Sequence, residues 1–168
     1  YVLNDAEEDA LVLAGSLTYP VGIGQELTAT AGKWIVARPG DQHGYSNRSE
    51  RPVSLLVFRV KSTAQPGMSS TRIYLRLFQP LGEPKPRLTV YDTDASRGEL
   101  LGLRPGERTP VNRVRYAAAY CLSGRIMCLM GRERAALEPG EGICLVHTGG
   151  ELVGASGMST VAMFTTLF

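Results

Sequence analysis

Two histidines, His43 and His147, are the natural starting points for proton-transfer chemistry in this chain of 168 residues. His43 lies in a polar loop, after Pro39-Gly40 and before Asn47. An imidazole there suits general-base work, since its ordinary pKa of about 6.5 lies close to neutrality, and it is also a common metal ligand. The alternative is a core histidine bonded to a loop carbonyl. On the loop reading, its removal costs chemistry more than packing. Glu8 is the candidate acid partner, yet it belongs to the cluster Asp5, Glu7, Glu8, Asp9, which reads equally well as an exposed acidic edge. Arg38 offers a planar fork to a carboxylate or phosphate if its head turns inward, and is solvated if it turns out. Tyr45 either closes the mouth of a pocket or lies exposed on its loop. Asn4 is a poor ligand for soft metals but can donate a hydrogen bond to a substrate, and Asn47 joins it as a ligand-binding candidate. His147, one residue before Thr148-Gly149-Gly150, reads as a surface or turn histidine.

The elements that must hold these residues are strands. Nineteen glycines and ten prolines, against a usual glycine share of about 7%, indicate many turns rather than long helices. Ala10-Leu-Val-Leu-Ala-Gly15 is answered by Ala119-Tyr-Cys-Leu-Ser-Gly124, at an offset of 109. Ala31 to Gly40 is answered by Pro139 to Thr148, at an offset of 108. Two copies of one unit are expected. Each runs strand, glycine turn, strand, a glycine before a β-branched strand, a polar loop, and an apolar closing strand. The closing strands are Val53 to Val60 and Ser159 to Phe168. Asn4 to Leu13 can be drawn on a helical wheel, but Leu11 to Gly15 matches the repeated strand, so a strand is predicted. Arg72 to Phe78 and Arg87 to Tyr91 are strand-like, separated by a turn rich in proline (Pro80, Pro84, Pro86).

Gly32, five residues, Arg38-Pro39-Gly40, two residues, His43, three residues and Asn47 resemble the second cupin motif, with Arg38 in place of its first proline. Glu8, six residues and Gly15 resemble the tail of the first cupin motif, and Pro105 to Gly124 resembles that motif in outline. The resemblance implies an all-β chain of the double-stranded β-helix type, the cupin jelly-roll barrel, in two tandem copies. It implies an N-terminal barrel over 1–62, a connector over 63–71 and a C-terminal barrel over 72–168. In the cupin family two histidines, a glutamate and a third histidine converge on iron, manganese, nickel or zinc. Here the paired-histidine slots hold Val2 and Asn4 in the first copy, and Asn112 and Val114 in the second. Two histidines in all cannot supply three to one site. The resemblance therefore implies no metal, or one divalent transition metal (Fe, Mn, Ni or Zn) in the first barrel with His43 and Glu8 as ligands, and none in the second. There an alanine (Ala117 or Ala118) takes the glutamate slot and Glu151 falls near the third histidine.

Eighteen basic and sixteen acidic residues, without a run of about five or more like charges, give no footprint for nucleic acid. No stretch approaches the roughly 20 apolar residues of a membrane helix. Three cysteines without a CxxC pair read as reduced thiols of a cytoplasmic protein. Nucleotide-binding loops and a serine-hydrolase elbow are absent from the sequence. The function expected is that of a small-molecule enzyme, metal-poor or metal-independent, with His43 and Glu8 performing acid–base isomerisation or cyclisation. A non-catalytic ligand-binding or sensory protein and a metal-dependent dioxygenase with a reduced ligand set are the alternatives. The partner expected is a small organic molecule, and a homodimer is implied, with Trp34 and Val53 to Phe58 as contact surfaces. The first copy reads as short of its opening strands, with a chain start that looks trimmed. Its barrel would be completed by a preceding segment, by Arg72 to Tyr91 folding back, or by a neighbouring subunit.

Overall fold

The computed structural model describes residues 2–3, 6–20, 24–40, 42–61, 87–93, 95–111, 116–146 and 149–166. Fourteen strands and no helix occur among them. The chain divides into two compact units, Tyr1–Pro80 and Leu81–Phe168. Of the residues singled out above, Asn4, Asn112, Val114 and His147 lie outside the described set, as do the expected connector and Arg72 to Phe78.

In the first unit β2 (Ala6–Ala14) is the middle strand of a sheet, between β5 (Trp34–Ala37) and β7 (Ser54–Lys61). β3 (Ser16–Pro20) pairs with β4 (Glu26–Thr30), and β1 (Val2–Leu3) with β6 (Gln42–His43). β2 is paired along both edges, and its side chains are buried without a break from Ala6 to Val12, so both of its faces are covered there. Of the acidic cluster, Glu7, Glu8 and Asp9 form no exposed edge: all three are buried, while Asp5 lies outside the described residues. Alternate residues of a strand share a face. Ala10 and Val12 join Leu17, Tyr19, Ala29 and Ile35 in one apolar core, with Tyr45, Val53 and Leu55 packed against it. Trp34 is fully buried (0% exposed), which makes it a core anchor with no surface to offer a second subunit.

The second unit is one sheet of seven strands: β8 (Arg87–Asp92), β9 (Ser96–Leu103), β10 (Arg108–Val111), β11 (Tyr116–Met130), β12 (Glu133–Leu137), β13 (Gly142–Val146) and β14 (Gly150–Thr166). The described part of the segment considered for completing the first barrel, Arg87 to Tyr91, is β8, and it pairs with β9 in this second unit. Arg87 holds the buried Glu99 of β9 by two parallel hydrogen bonds of 2.8 Å. The long strands β11 and β14 pair along most of their length, with register shifts between Cys121 and Ile126 that bend the ladder. The core is almost wholly apolar: Leu101, Leu103, Ile126, Leu145, Leu152 and Val161, with Cys121 and Cys128 among them.

The same backbone pattern recurs in both units. Leu11 pairs with Trp34 as Tyr120 pairs with Gly142, and Leu17 with Ala29 as Ile126 with Leu137. The amide of Gly32 donates to Val12 O at 2.8 Å, and that of Gly140 to Cys121 O at 2.9 Å. Gly32 and Gly140 both take positive φ, +85° and +93°, where a side chain is disfavoured.

The thiols differ in access. Cys121 and Cys128 are buried and Cys144 is exposed. Burial pushes the Cys128 thiol up to about 11 and raises Cys121 as well, where nearby Glu138 adds to the effect. Alkylation of the native protein near neutral pH, followed by peptide mass spectrometry, is expected to mark Cys144 first, with Cys121 and Cys128 reacting only on unfolding. Equal labelling of all three in the native state would contradict the packing described.

Candidate functional site

Alternation along β2 places Glu8 on the same face as Ala10 and Val12, the face that carries the first unit's core. Its carboxylate gathers three side chains from other elements. Tyr45 Oη donates to Glu8 Oε1 at 2.6 Å. His43 Nε2 lies 3.4 Å from that same oxygen. Arg59, directly opposite Glu8 in the β2–β7 ladder, brings its Nε to 3.0 Å from Glu8 Oε2. Around them Tyr19 stacks on the His43 ring at 6.3 Å, while Tyr45 meets the same ring edge-on at 6.2 Å.

Burial raises the Tyr45 phenol above its ordinary value, and the hydrogen bond to Glu8 and its charge add to the shift. Tyr45 is thus a neutral donor across the physiological range. A carboxylate only accepts hydrogen bonds, so the tautomer it favours in His43 carries the proton on Nε2 and the basic lone pair on Nδ1. A carboxylate that orients an imidazole in this way equips it as a general base, the logic shared by many nucleophile and acid–base sites.

Three sequence candidates, Glu8, His43 and Tyr45, therefore come together. His43 is buried (3% exposed) and ring-packed, not a loop histidine that can be removed without loss of packing. Asn47 is exposed and serves its own loop, donating to Arg51 O at 2.9 Å and accepting from Ser49 N and Oγ. Arg38 is half-buried beyond the end of β5. Ala37 pairs with Glu8 and shares its face, so alternation continued one residue sets Arg38 on the other. Sequence reasoning missed Arg59 and Tyr19. The available signal for Arg59 was a lone cation within the apolar run Leu55 to Val60.

A resident transition metal in a catalytic site needs about three protein ligands with open positions. Val2, which cannot coordinate, stands opposite His43 in the β1–β6 ladder. Both oxygens of Glu8 are engaged, one of them by a cation that would oppose a metal. No group of three His, Cys, Asp or Glu converges among the described residues. This donor set does not fit such a metal.

In the second unit, Ala117 has the ladder position of Glu8, facing Leu145 and Thr165 as Glu8 faces Ala37 and Arg59. Glu151 pairs with Pro110 as His43 pairs with Val2, and it accepts from Arg108 at 2.8 Å in an exposed pair.

No family model and no curated protein matches the sequence. Solved structures do. The Ylba protein of E. coli, described by the family model DUF861, has a TM-score of 0.78 at 14% identity, over 96% of this chain and 68% of that one. AerE from Microcystis aeruginosa has a TM-score of 0.76 at 14% identity, over 98% and 79% of the two chains. A salicylate 1,2-dioxygenase from Pseudaminobacter salicylatoxidans gives 0.68 at 14% identity, over 96% of this chain and 65% of its own length. At such identities the likeness establishes that the chain shares the all-β fold of these proteins and nothing of its chemistry.

Proposed function

We propose that the first unit binds a small organic molecule and acts on it by metal-independent acid–base chemistry, of the isomerisation or cyclisation kind. The observation that carries this reading is the shared oxygen of Glu8, which holds the Tyr45 hydroxyl at 2.6 Å and faces His43 Nε2 at 3.4 Å. In this reading His43 takes a proton from the bound molecule and returns it at another position. Glu8 fixes the imidazole's tautomer and stabilises the imidazolium that forms, and Tyr45 holds Glu8 in place. No oxidant or metal is required for such a step.

We read the two units as tandem copies of one cupin barrel, a view supported by the recurring ladder registers and glycine torsions. The second copy is structural in this reading, with Ala117 and Thr165 where the first has Glu8 and Arg59. The homodimer remains part of the proposal, with β7 and its exposed Val57 as the contact surface. So does a cytoplasmic location, since buried free thiols suit a reducing compartment. A ligand binder without turnover is the second reading. It is favoured by the engagement of both Glu8 oxygens before any ligand arrives.

Turnover found in a screen of small organic molecules is expected to survive prolonged chelation unchanged. Activity lost on chelation and restored by iron, manganese, nickel or zinc would overturn the proposal in favour of metal chemistry. Saturable binding without turnover would favour the binder.

A further inference from the structure

We propose that Arg59 is a positioning residue for the acid–base group: acting through Glu8, it decides which nitrogen of His43 carries the proton. The inference rests on the acid–base reading of Glu8 and His43. The two oxygens of the carboxylate have different tasks. Oε1 faces His43 Nε2 at 3.4 Å and accepts from Tyr45 Oη at 2.6 Å, whereas Oε2 is met by Arg59 Nε at 3.0 Å. A carboxylate turns about one soft torsion, so a hold on each oxygen fixes its plane and keeps Oε1 aimed at the ring. The hold on Oε2 is also the charged one. Glu8 is buried, and a desolvated carboxylate needs an opposite charge beside it. Tyr45 brings a neutral hydroxyl, while the guanidinium of Arg59 is always a cation. With that cation in place Glu8 acts only as an acceptor, and the proton it faces on the imidazole is the one on Nε2.

Strand register delivers this charge. Arg59 stands directly opposite Glu8 in the β2–β7 ladder, so the two side chains share a face. Its neighbours Phe58 and Val60 stand opposite Asp9 and Glu7, on the other face. Lys61 shares the face of Arg59 but lies exposed, opposite Ala6. From β5, Glu8 meets the uncharged Ala37. In the second unit the positions of the acid and the cation hold Ala117 and Thr165. The pair is whole in one unit and wholly missing from the other, the pattern of two residues that share one task. Arg48 and Glu26 make a contrasting pair in the first unit, exposed at both ends, and supply a control.

The test reads the imidazole itself, in the whole protein and without a substrate. Nitrogen NMR of protein labelled with ¹⁵N-histidine distinguishes the two tautomers, and the His43 signals are those missing from His43→Gln. At about pH 8, above the ordinary range of histidine, the wild type is expected to show His43 as a single tautomer protonated on Nε2. Arg59→Gln should show a mixture of tautomers, with kcat lower by about 10- to 100-fold and KM moved by less than about threefold. Arg59→Met removes the charge but keeps the packing of the stem, and it gives the same reading if glutamine unsettles the fold. Arg59→Lys restores a cation beside Glu8 and should recover most of the single tautomer. Arg48→Gln should leave tautomer and rate unchanged. A His43 tautomer unaltered by loss of the Arg59 charge, an equal change in Arg48→Gln, or a lysine variant no better than the methionine one would each overturn the inference. If Arg59→Gln leaves tautomer and rate intact while His43→Gln abolishes turnover, the role of Arg59 is wrong and the acid–base site stands. If Arg59→Gln mixes the tautomers and His43→Gln changes no rate, Arg59 does orient the ring and the acid–base reading fails.

Discussion

A His43→Gln variant is expected to lose turnover by about 10²- to 10⁴-fold, the range over which a positioned general base contributes. Glutamine is the right replacement because of where the histidine sits. His43 packs against both Tyr19 and Tyr45, so His43→Ala would open a cavity and cost about 2 to 4 kcal/mol of stability whatever the function. A polar residue of similar volume keeps the aromatic contacts and a donor toward Glu8 while removing the proton-accepting ring. The rate should therefore collapse with the unfolding midpoint nearly unchanged. Glu8→Gln separates the roles further. It keeps an acceptor for Tyr45 but removes the charge that stabilises an imidazolium, so kcat should fall while KM moves little. A His43→Gln protein that turns over as well as wild type, at equal stability, would leave His43 a core residue.

Gly124→Ala is expected to be strongly destabilising, at about 2 to 5 kcal/mol. Gly124 has φ +73°, and a Cβ there would lie 2.5 Å from Ser159 Oγ and 2.7 Å from Met158 O. Ser159 cannot simply turn away. It is fully buried, and its hydroxyl donates to Arg125 O at 2.8 Å and accepts from Arg125 N at 3.1 Å, clasping the irregular part of the β11–β14 ladder. Gly131 is the control, with φ +61° and nothing within 4 Å of a built Cβ. Gly131→Ala should cost only the left-handed torsion, about 1 to 2 kcal/mol. Denaturant unfolding of the two variants distinguishes the explanations: equal losses would mean that torsion, not space, makes glycine necessary at Gly124.

Much of the strand order was legible because turns and alternation are local signals. Gly15 and Gly124 mark matching bends, and the repeat kept Leu11 to Gly15 from being assigned to a helix. The loop spacing around His43 singled out His43, Tyr45 and, upstream, Glu8. What stayed hidden depends on which strands become neighbours. Glu7, Glu8 and Asp9 read as an exposed edge because three successive acids usually face water. In the fold β2 runs between β5 and β7, and all three are buried. Arg59 acquires its role from lying opposite Glu8 in a ladder between residues far apart in sequence. Asn47 looked like a ligand contact because it closes a recognisable spacing, but its amide is spent on ordering Ser49 and Arg51.

The paired positive-φ glycines have a bearing on inheritance. Gly15 and Gly32 in one unit, and Gly124 and Gly140 in the other, set the corners between which the strands run. The stretches between those corners share few residues: Trp34 of one stands where the other has Gly142. A shape encoded by a handful of torsions and a binary alternation can outlast nearly complete turnover of the side chains that fill it. Matching by letter then finds no family model and no curated protein, whereas matching by backbone trace finds proteins that agree at only 14% of positions.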